Sequence, residues 1–347
     1  GSVFGTFFSS FYTIPFWGTK ETILISGFSL ILISLIGLGR DFKKPFLLFL
    51  LLPLLLNLIS FPARENLVYE KESFYGLIQI IEDKDLGYIL DINRSGRWSV
   101  YHPEKILTGM YFDYFLPLYF LLDRDENDLD VLIIGHAGGV ISRQYSHFLG
   151  DKNLKIKGVE LDKEVTKAAF KFFNLSEQEG LEVINSDGRT YLQNSREQYD
   201  LIFIDAYTGG LYIPFQLSTK EFFDLARSRL KEGGILAIMV LSENSDKERV
   251  FQSITQTIKS VFPFLYSFPD PTERQYLLVA ANSSLGEKFA KLEERTKLTE
   301  LKEISLYVSQ KFQEIKISEE NYILKDNRAP IEILRELDKL TSFFKKP

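Results

Sequence analysis

Between residues 130 and 240 the chain alternates short strand-like runs with stretches of helical periodicity, and this alternation limits its folds more than any other feature. Val131-Leu132-Ile133-Ile134 and Leu201-Ile202-Phe203-Ile204 lack polar alternation, the pattern of strands buried on both faces of a parallel sheet. Further strands are expected over 156–161, 181–185 and 235–240, with helices ending near 149 and spanning 163–173 and about 219–230. Strand–helix–strand units with right-handed crossovers predict an α/β fold, a Rossmann-like doubly wound sheet. The segments 264–268 and 276–281 are expected to close it as an antiparallel pair.

The ends of these strands carry the residues able to do chemistry. Gly135, Gly138 and Gly139 follow the first strand, where glycine permits a tight turn and close backbone approach to a ligand at a helix N-terminus. Glu160 ends the second strand, where a carboxylate can accept ribose hydroxyls. Asp187-Gly188 ends the third and Asp205 the fourth. Open α/β sheets bind ligands at the carboxyl ends of their strands, so the set reads as a nucleoside site. The competing reading is that Asp162 and Asp187 only cap the helices they precede. The loop has no Lys-Ser/Thr ending, which argues against a nucleoside triphosphate. His136 inside the glycine loop is a further candidate, as is the Gly209-Gly210 loop between Tyr207 and Tyr212, which could close over substrate.

The rest of the composition narrows the class. A net charge of −6 without a basic cluster makes nucleic acid an unexpected partner. There is no cysteine, and His102, His136 and His147 are not spaced as a metal pair, so no protein-bound metal is expected. Residues 1–62 stand apart. The apolar runs 22–39 and 45–61 approach the roughly 30 Å of a hydrocarbon core at about 1.5 Å per residue, with 3–17 as a shorter third piece. Two or three consecutive runs do not suit a cleaved signal peptide. They predict transmembrane segments and a multi-pass protein of the inner (cytoplasmic) membrane. From residue 67 the runs 74–81 and 88–92, joined by the turn 83–87, predict a small antiparallel sheet. The expected organisation is transmembrane segments over 1–62, a small antiparallel β domain over 63–118, a Rossmann-like nucleoside-binding catalytic domain over 119–284 and a C-terminal helical extension over 285–347. In that extension the Lys/Glu-rich stretch 287–303 reads as a solvated helix face and Pro330 as the start of a last helix.

Several segments together resemble the spermidine synthase (aminopropyltransferase) family: Glu72-Ser73-Phe74-Tyr75, residues 131–139, Val159-Glu160-Leu161-Asp162, Ser186-Asp187-Gly188, residues 199–205, residues 217–223 and residues 326–332. The match runs over about residues 67–332, and Gly18-Thr19-Lys20 between apolar segments looks like the membrane-fused branch. The resemblance implies that Glu160 holds ribose, Asp187 holds adenine, and Asp205 sits beside the transferred group as proton acceptor. It further implies a glycine loop of Gly135, Gly138 and Gly139 with Gly188 on the nucleoside, and Tyr75, Tyr114 and Tyr207 on the substrate side. The implied co-substrate is decarboxylated S-adenosylmethionine, or S-adenosylmethionine itself, with no metal. A homodimer is implied by the same resemblance, and use of a cytosolic co-substrate predicts a catalytic domain on the cytoplasmic side.

The chain departs from the family's pattern at Gly76, Ala137, Tyr114-Phe115 and Thr208, all on the side of the aminopropyl chain and polyamine. The acceptor is therefore expected to be an amine other than putrescine, a small molecule or a lipid-like amine near the membrane. Two other functions use the same residues: an S-adenosylmethionine-dependent methyltransferase, and a non-catalytic nucleoside sensor fused to a membrane domain.

Overall fold

The computed structural model describes residues 2–38, 64–123, 128–208, 212–242, 248–316 and 322–343. The apolar run 45–61 and the Gly209-Gly210 pair fall outside these residues.

The N-terminal segment is helical: Ser2–Phe8, a π-helical turn Ser9–Thr13, Ile14–Trp17, and Thr19–Leu38. No helix among the described residues is long and apolar enough to cross a membrane. This corrects the expectation of a multi-pass membrane protein. Thr19–Leu38 spends its first turn on Thr19, Lys20, Glu21 and Thr22. That leaves 23–38, about 24 Å of apolar helix at 1.5 Å per residue, against the roughly 30 Å required. Its start is instead tied to the following sheet, since the Thr19 backbone N–H and hydroxyl donate to Glu72 Oε2 at 2.6 and 2.8 Å.

A four-stranded antiparallel sheet follows, in the order β1 (Leu67–Glu72), β2 (Leu77–Asp83), β3 (Gly87–Ile92) and β4 (Ser99–Tyr101). The turn between β2 and β3 lies where Asp83 to Gly87 predict it. Asp83 Oδ1 accepts the Asp85 and Leu86 N–H groups at 2.9 Å, and Gly87 has φ +73°. Ile78, Ile80 and Leu90 on this sheet bury against Val165, Ala168 and Phe173. The small sheet is thereby fixed over one edge of the main one.

The main sheet contains β5 (Asp128–Ile134), β6 (Asn153–Glu160), β7 (Leu181–Asn185), β8 (Tyr199–Ile204), β9 (Leu230–Leu241), β10 (Phe264–Pro269), β11 (Gln275–Ala281) and β12 (Gln313–Glu314). Its order is β12-β10-β11-β9-β8-β5-β6-β7, with β5 to β9 parallel and β10 to β12 antiparallel. Strand order reverses between β5 and β8, which pair through Ile134 and Ile204, and a crevice at such a reversal is where these sheets bind ligands.

Both faces are covered. On one, Phe115 and Tyr145 pack on Phe203 with ring centroids 5.0 and 5.6 Å away. On the other, Phe222, Phe223, Ile254 and Phe262 are fully buried. The apolar segment before the sheet is a 3₁₀ helix, Tyr111–Leu121, with Pro117 inside it. Proline supplies no N–H and cannot continue an α-helical ladder there. The stretch 287–303 is not a plain solvated face either. It is divided among Gly286–Ala290, Leu292–Arg295, Thr299–Leu301 and the start of Lys302–Lys311, and it buries Phe289, Leu292 and Leu301. The last helix, Ile331–Phe343, begins directly after Pro330.

Candidate active site

Two cavities open at the carboxyl ends of the parallel strands and meet at Asp205. The larger, about 430 Å³, runs over Glu160, Asp187, Gly188 and Leu217. The smaller, about 210 Å³, lies between the glycine loop and Trp98, Tyr111 and Phe112. Gly135, Ala137, Trp98, Asp205 and Tyr207 line both.

The glycine loop is shaped by close packing. Gly135 has φ +87°, and a Cβ there would stand 2.4 Å from the Asp205 carbonyl oxygen, so only glycine lets the loop after β5 touch the loop after β8. Gly138 donates its N–H to Ser99 Oγ at 2.9 Å. Gly139 is the left-handed residue that opens the helix Val140–Leu149. His136 is buried and lines the smaller cavity, with Nε2 2.7 Å from Ser142 Oγ and Nδ1 without a partner among the described residues. Burial holds its pKa down at about 4, so the ring is neutral at pH 7.

Glu160 sits at the end of β6 with Oε2 accepting the Ala137 N–H and Oε1 accepting the Asp162 N–H, both at 2.9 Å. Burial raises its pKa, and these N–H groups oppose the rise. The carboxylate thus braces the glycine loop and still lines the larger cavity. Asp187 caps the helix Gly188–Asn194 through the Thr190 N–H at 2.8 Å and also lines that cavity, so the capping and ligand readings coexist. Asp162 caps Lys163–Phe172 through Glu164 and is held by the Ser73 hydroxyl, which joins the Glu72-Ser73-Phe74-Tyr75 segment to the site.

Asp205 follows β8. Burial pushes its pKa up to about 7, against the opposing effect of the Tyr111 hydroxyl, which donates to Oδ1 and Oδ2 at 3.1 and 2.9 Å. A carboxyl poised near neutrality, aimed where two cavities meet, suits proton transfer at physiological pH.

The three substrate-side tyrosines fare differently. Tyr75 is half-exposed at the mouth of the larger cavity. Tyr207 lines both cavities with its ring, but its hydroxyl is occupied, donating to the Met239 carbonyl and accepting the Leu241 N–H, each at 2.9 Å. Tyr114 lines neither cavity; its ring is buried against Tyr307 at 5.5 Å. Tyr111, one 3₁₀ turn or about 6 Å earlier along the axis, is the residue that reaches Asp205. Arg97, Trp98 and Tyr111, which no sequence motif marks, also line the site, as does Glu332 from the 326–332 segment. Glu332 comes from the first turn of the last helix. Arg189 holds the segment before that helix by a bidentate pair to Asp326, both contacts at 2.6 Å.

Comparison with known proteins gives a consistent picture. Residues 120–288 match the model of the spermine/spermidine synthase domain. The chain is 30% identical over 287 residues to the probable polyamine aminopropyl transferase of Bifidobacterium longum, covering 78% of this chain and 62% of that protein. It therefore spans less than two thirds of that relative's length. It is 27% identical over 233 residues to the polyamine aminopropyltransferase of Vibrio vulnificus, covering 65% and 75%. Among solved structures, a probable spermidine synthase from Corynebacterium glutamicum superposes with a TM-score of 0.56 at 16% identity, covering 75% of this chain and 99% of that one. The spermidine synthase of Thermotoga maritima gives 0.52 at 21% identity, covering 70% and 84%. These two likenesses establish the shared fold.

Proposed function

We propose that this chain, which carries a domain of the spermidine synthase family over residues 120–288, uses it to transfer an aminopropyl group from decarboxylated S-adenosylmethionine to an amine, releasing methylthioadenosine. One observation carries the reading beyond the family. Five carboxylates, Glu160, Asp162, Asp187, Asp205 and Glu332, line the larger cavity, and no Lys, Arg or His does so among the described residues. A sulfonium that also bears an ammonium gains from such a wall, whereas the carboxylate of intact S-adenosylmethionine is repelled by it. This favours aminopropyl over methyl transfer.

In this reading Glu160 takes the ribose hydroxyls, Asp187 the adenine amino group, and Gly135 and Gly188 allow the backbone to approach the nucleoside, while Gly138 and Gly139, which line neither cavity, pack the loop against Ser99, Phe173 and Leu175. Tyr75 closes the mouth of the nucleoside cavity, and Tyr207 presents its ring beside the transferred group. The neutral acceptor amine attacks the propyl carbon attached to sulfur. The N–C bond forms as the C–S bond breaks with its electron pair going to sulfur. Asp205 accepts the proton that the nitrogen sheds, and Tyr111 holds that carboxylate in place. The remaining rate enhancement comes from aligning donor and acceptor across the junction of the cavities.

Calorimetric titration of the protein with each donor tests the electrostatic argument. Decarboxylated S-adenosylmethionine is expected to bind at least about tenfold more tightly than the intact form, a difference of about 1.4 kcal/mol. Equal or reversed affinities would overturn it.

A further inference from the structure

The smaller cavity differs from the larger in its charge. Its inner wall is Phe112, Ile133, Val140, Ile141 and Met239, all buried. Its only carboxylate is Asp205, and the charged side chain it adds is the exposed Arg97, beside Trp98. Among the described residues, then, the space facing Asp205 offers one anion at its junction with the donor cavity, a wall in which apolar side chains alternate with the uncharged Ser99, His136 and Gln275, and a cation on its rim.

We propose that the acceptor is a primary monoamine with an apolar body, not a diamine. The inference rests on the aminopropyl reading of the same site and names its acceptor class. The acceptor nitrogen meets Asp205 while its hydrocarbon part fills the 210 Å³ cavity, below the roughly 300–1,000 Å³ of a typical ligand pocket and suited to a small molecule. A diamine with one nitrogen at Asp205 would have to leave its second ammonium among Phe112, Ile133 and Ile141, or push it toward Arg97. The first strips a charge of water without a counter-ion, and the second sets like charges together. Trp98 and Tyr111 offer aromatic faces to a cation, and the neutral His136 and Gln275 offer uncharged polar atoms, but a carboxylate is what full compensation needs.

The apolar wall has a second consequence. A primary alkylamine resembles the lysine side chain, with an ordinary pKa of about 10.4. Burial among apolar side chains disfavours its charged form and lowers that value toward Asp205's. The cavity that rejects a second ammonium therefore also favours the neutral amine, the form able to attack carbon.

The test compares pentylamine with 1,5-diaminopentane, equal in length and differing in one terminal amino group. Each is incubated with the full chain and decarboxylated S-adenosylmethionine, and methylthioadenosine release is followed by mass spectrometry. The proposal expects kcat/KM for pentylamine to exceed that for the diamine by at least about tenfold, the scale on which one unmatched charge discriminates. Arg97→Glu, an exposed change that puts an anion on the rim, is expected to narrow or reverse the ratio. If the diamine reacts as well as or better than the monoamine in the wild-type protein, the monoamine assignment falls and the aminopropyl reading stands. An Arg97→Glu ratio equal to wild type would remove the rim charge from the explanation. If neither amine reacts while amines from a cell extract do, the acceptor class is wrong. If no amine yields methylthioadenosine, the underlying reading fails and the acceptor assignment with it.

Discussion

Asp205→Asn separates catalysis from stability in a way that the geometry fixes. The carboxyl's pKa stands at about 7 against an ordinary 3.8, with burial as the main cause. A carboxylate whose pKa is raised on folding favours the folded state most below its unfolded value, and that contribution is lost as pH rises through the folded value. Ionised Asp205 therefore opposes folding, by up to about 4 kcal/mol at pH 8 from roughly three pH units at 1.36 kcal/mol each. At pH 5 the same linkage leaves roughly 2 kcal/mol. Asparagine cannot ionise, yet its carbonyl can still accept from Tyr111. The variant is expected to gain stability over wild type as pH rises from 5 to 8, with the gap widening by about 2 kcal/mol, while activity falls by roughly 10²- to 10⁴-fold. Denaturant unfolding at the two pH values and methylthioadenosine release measure both sides. A stability difference independent of pH would refute the assignment of a raised pKa to this carboxyl. Retained turnover would refute its role as proton acceptor.

Three further perturbations probe the surroundings of that carboxyl. Tyr111→Phe removes the hydroxyl that holds the Asp205 pKa down, so the rise of kcat/KM with pH should move above pH 7, with larger losses at pH 6 than at pH 9 in a pH–rate profile. Gly135→Ala places a Cβ 2.4 Å from the Asp205 carbonyl oxygen at φ +87°, and urea unfolding should register a loss of about 2 kcal/mol or more. Asp326→Asn weakens the bidentate pair with Arg189 in front of the Glu332-bearing helix; the partly exposed pair is worth about 1 kcal/mol. Steady-state kinetics should accordingly show a severalfold rise in donor KM with kcat nearly kept.

Much of the parallel sheet was legible because its strands are buried on both faces and leave an unbroken apolar signature, as at Val131 to Ile134. The strand-end carboxylates were legible for a related reason: topology dictates where such sheets keep their ligands, and Glu160, Asp187 and Asp205 all line one cavity. What escaped was whatever depended on how separate elements meet. Tyr111 and Tyr114 sit in the same aromatic run, and only the path of the 3₁₀ helix decides which ring reaches Asp205. Arg97 and Trp98 lie in a loop before β4 with no motif to mark them. Tyr207 reads in sequence as a substrate-side residue, but the bend of the chain delivers its hydroxyl to the backbone of β9. The N-terminal reading failed on length, since hydropathy alone did not discount the polar first turn of Thr19–Leu38.

The most direct test of aminopropyl transfer is the identity of the nucleoside product. The protein is incubated separately with decarboxylated and with intact S-adenosylmethionine, each with a mixture of primary amines, and the products are read by mass spectrometry. Methylthioadenosine from the decarboxylated donor, with an amine heavier by one aminopropyl group and no product from the intact donor, is the result expected here; S-adenosylhomocysteine from the intact donor, or no product from either, would contradict it.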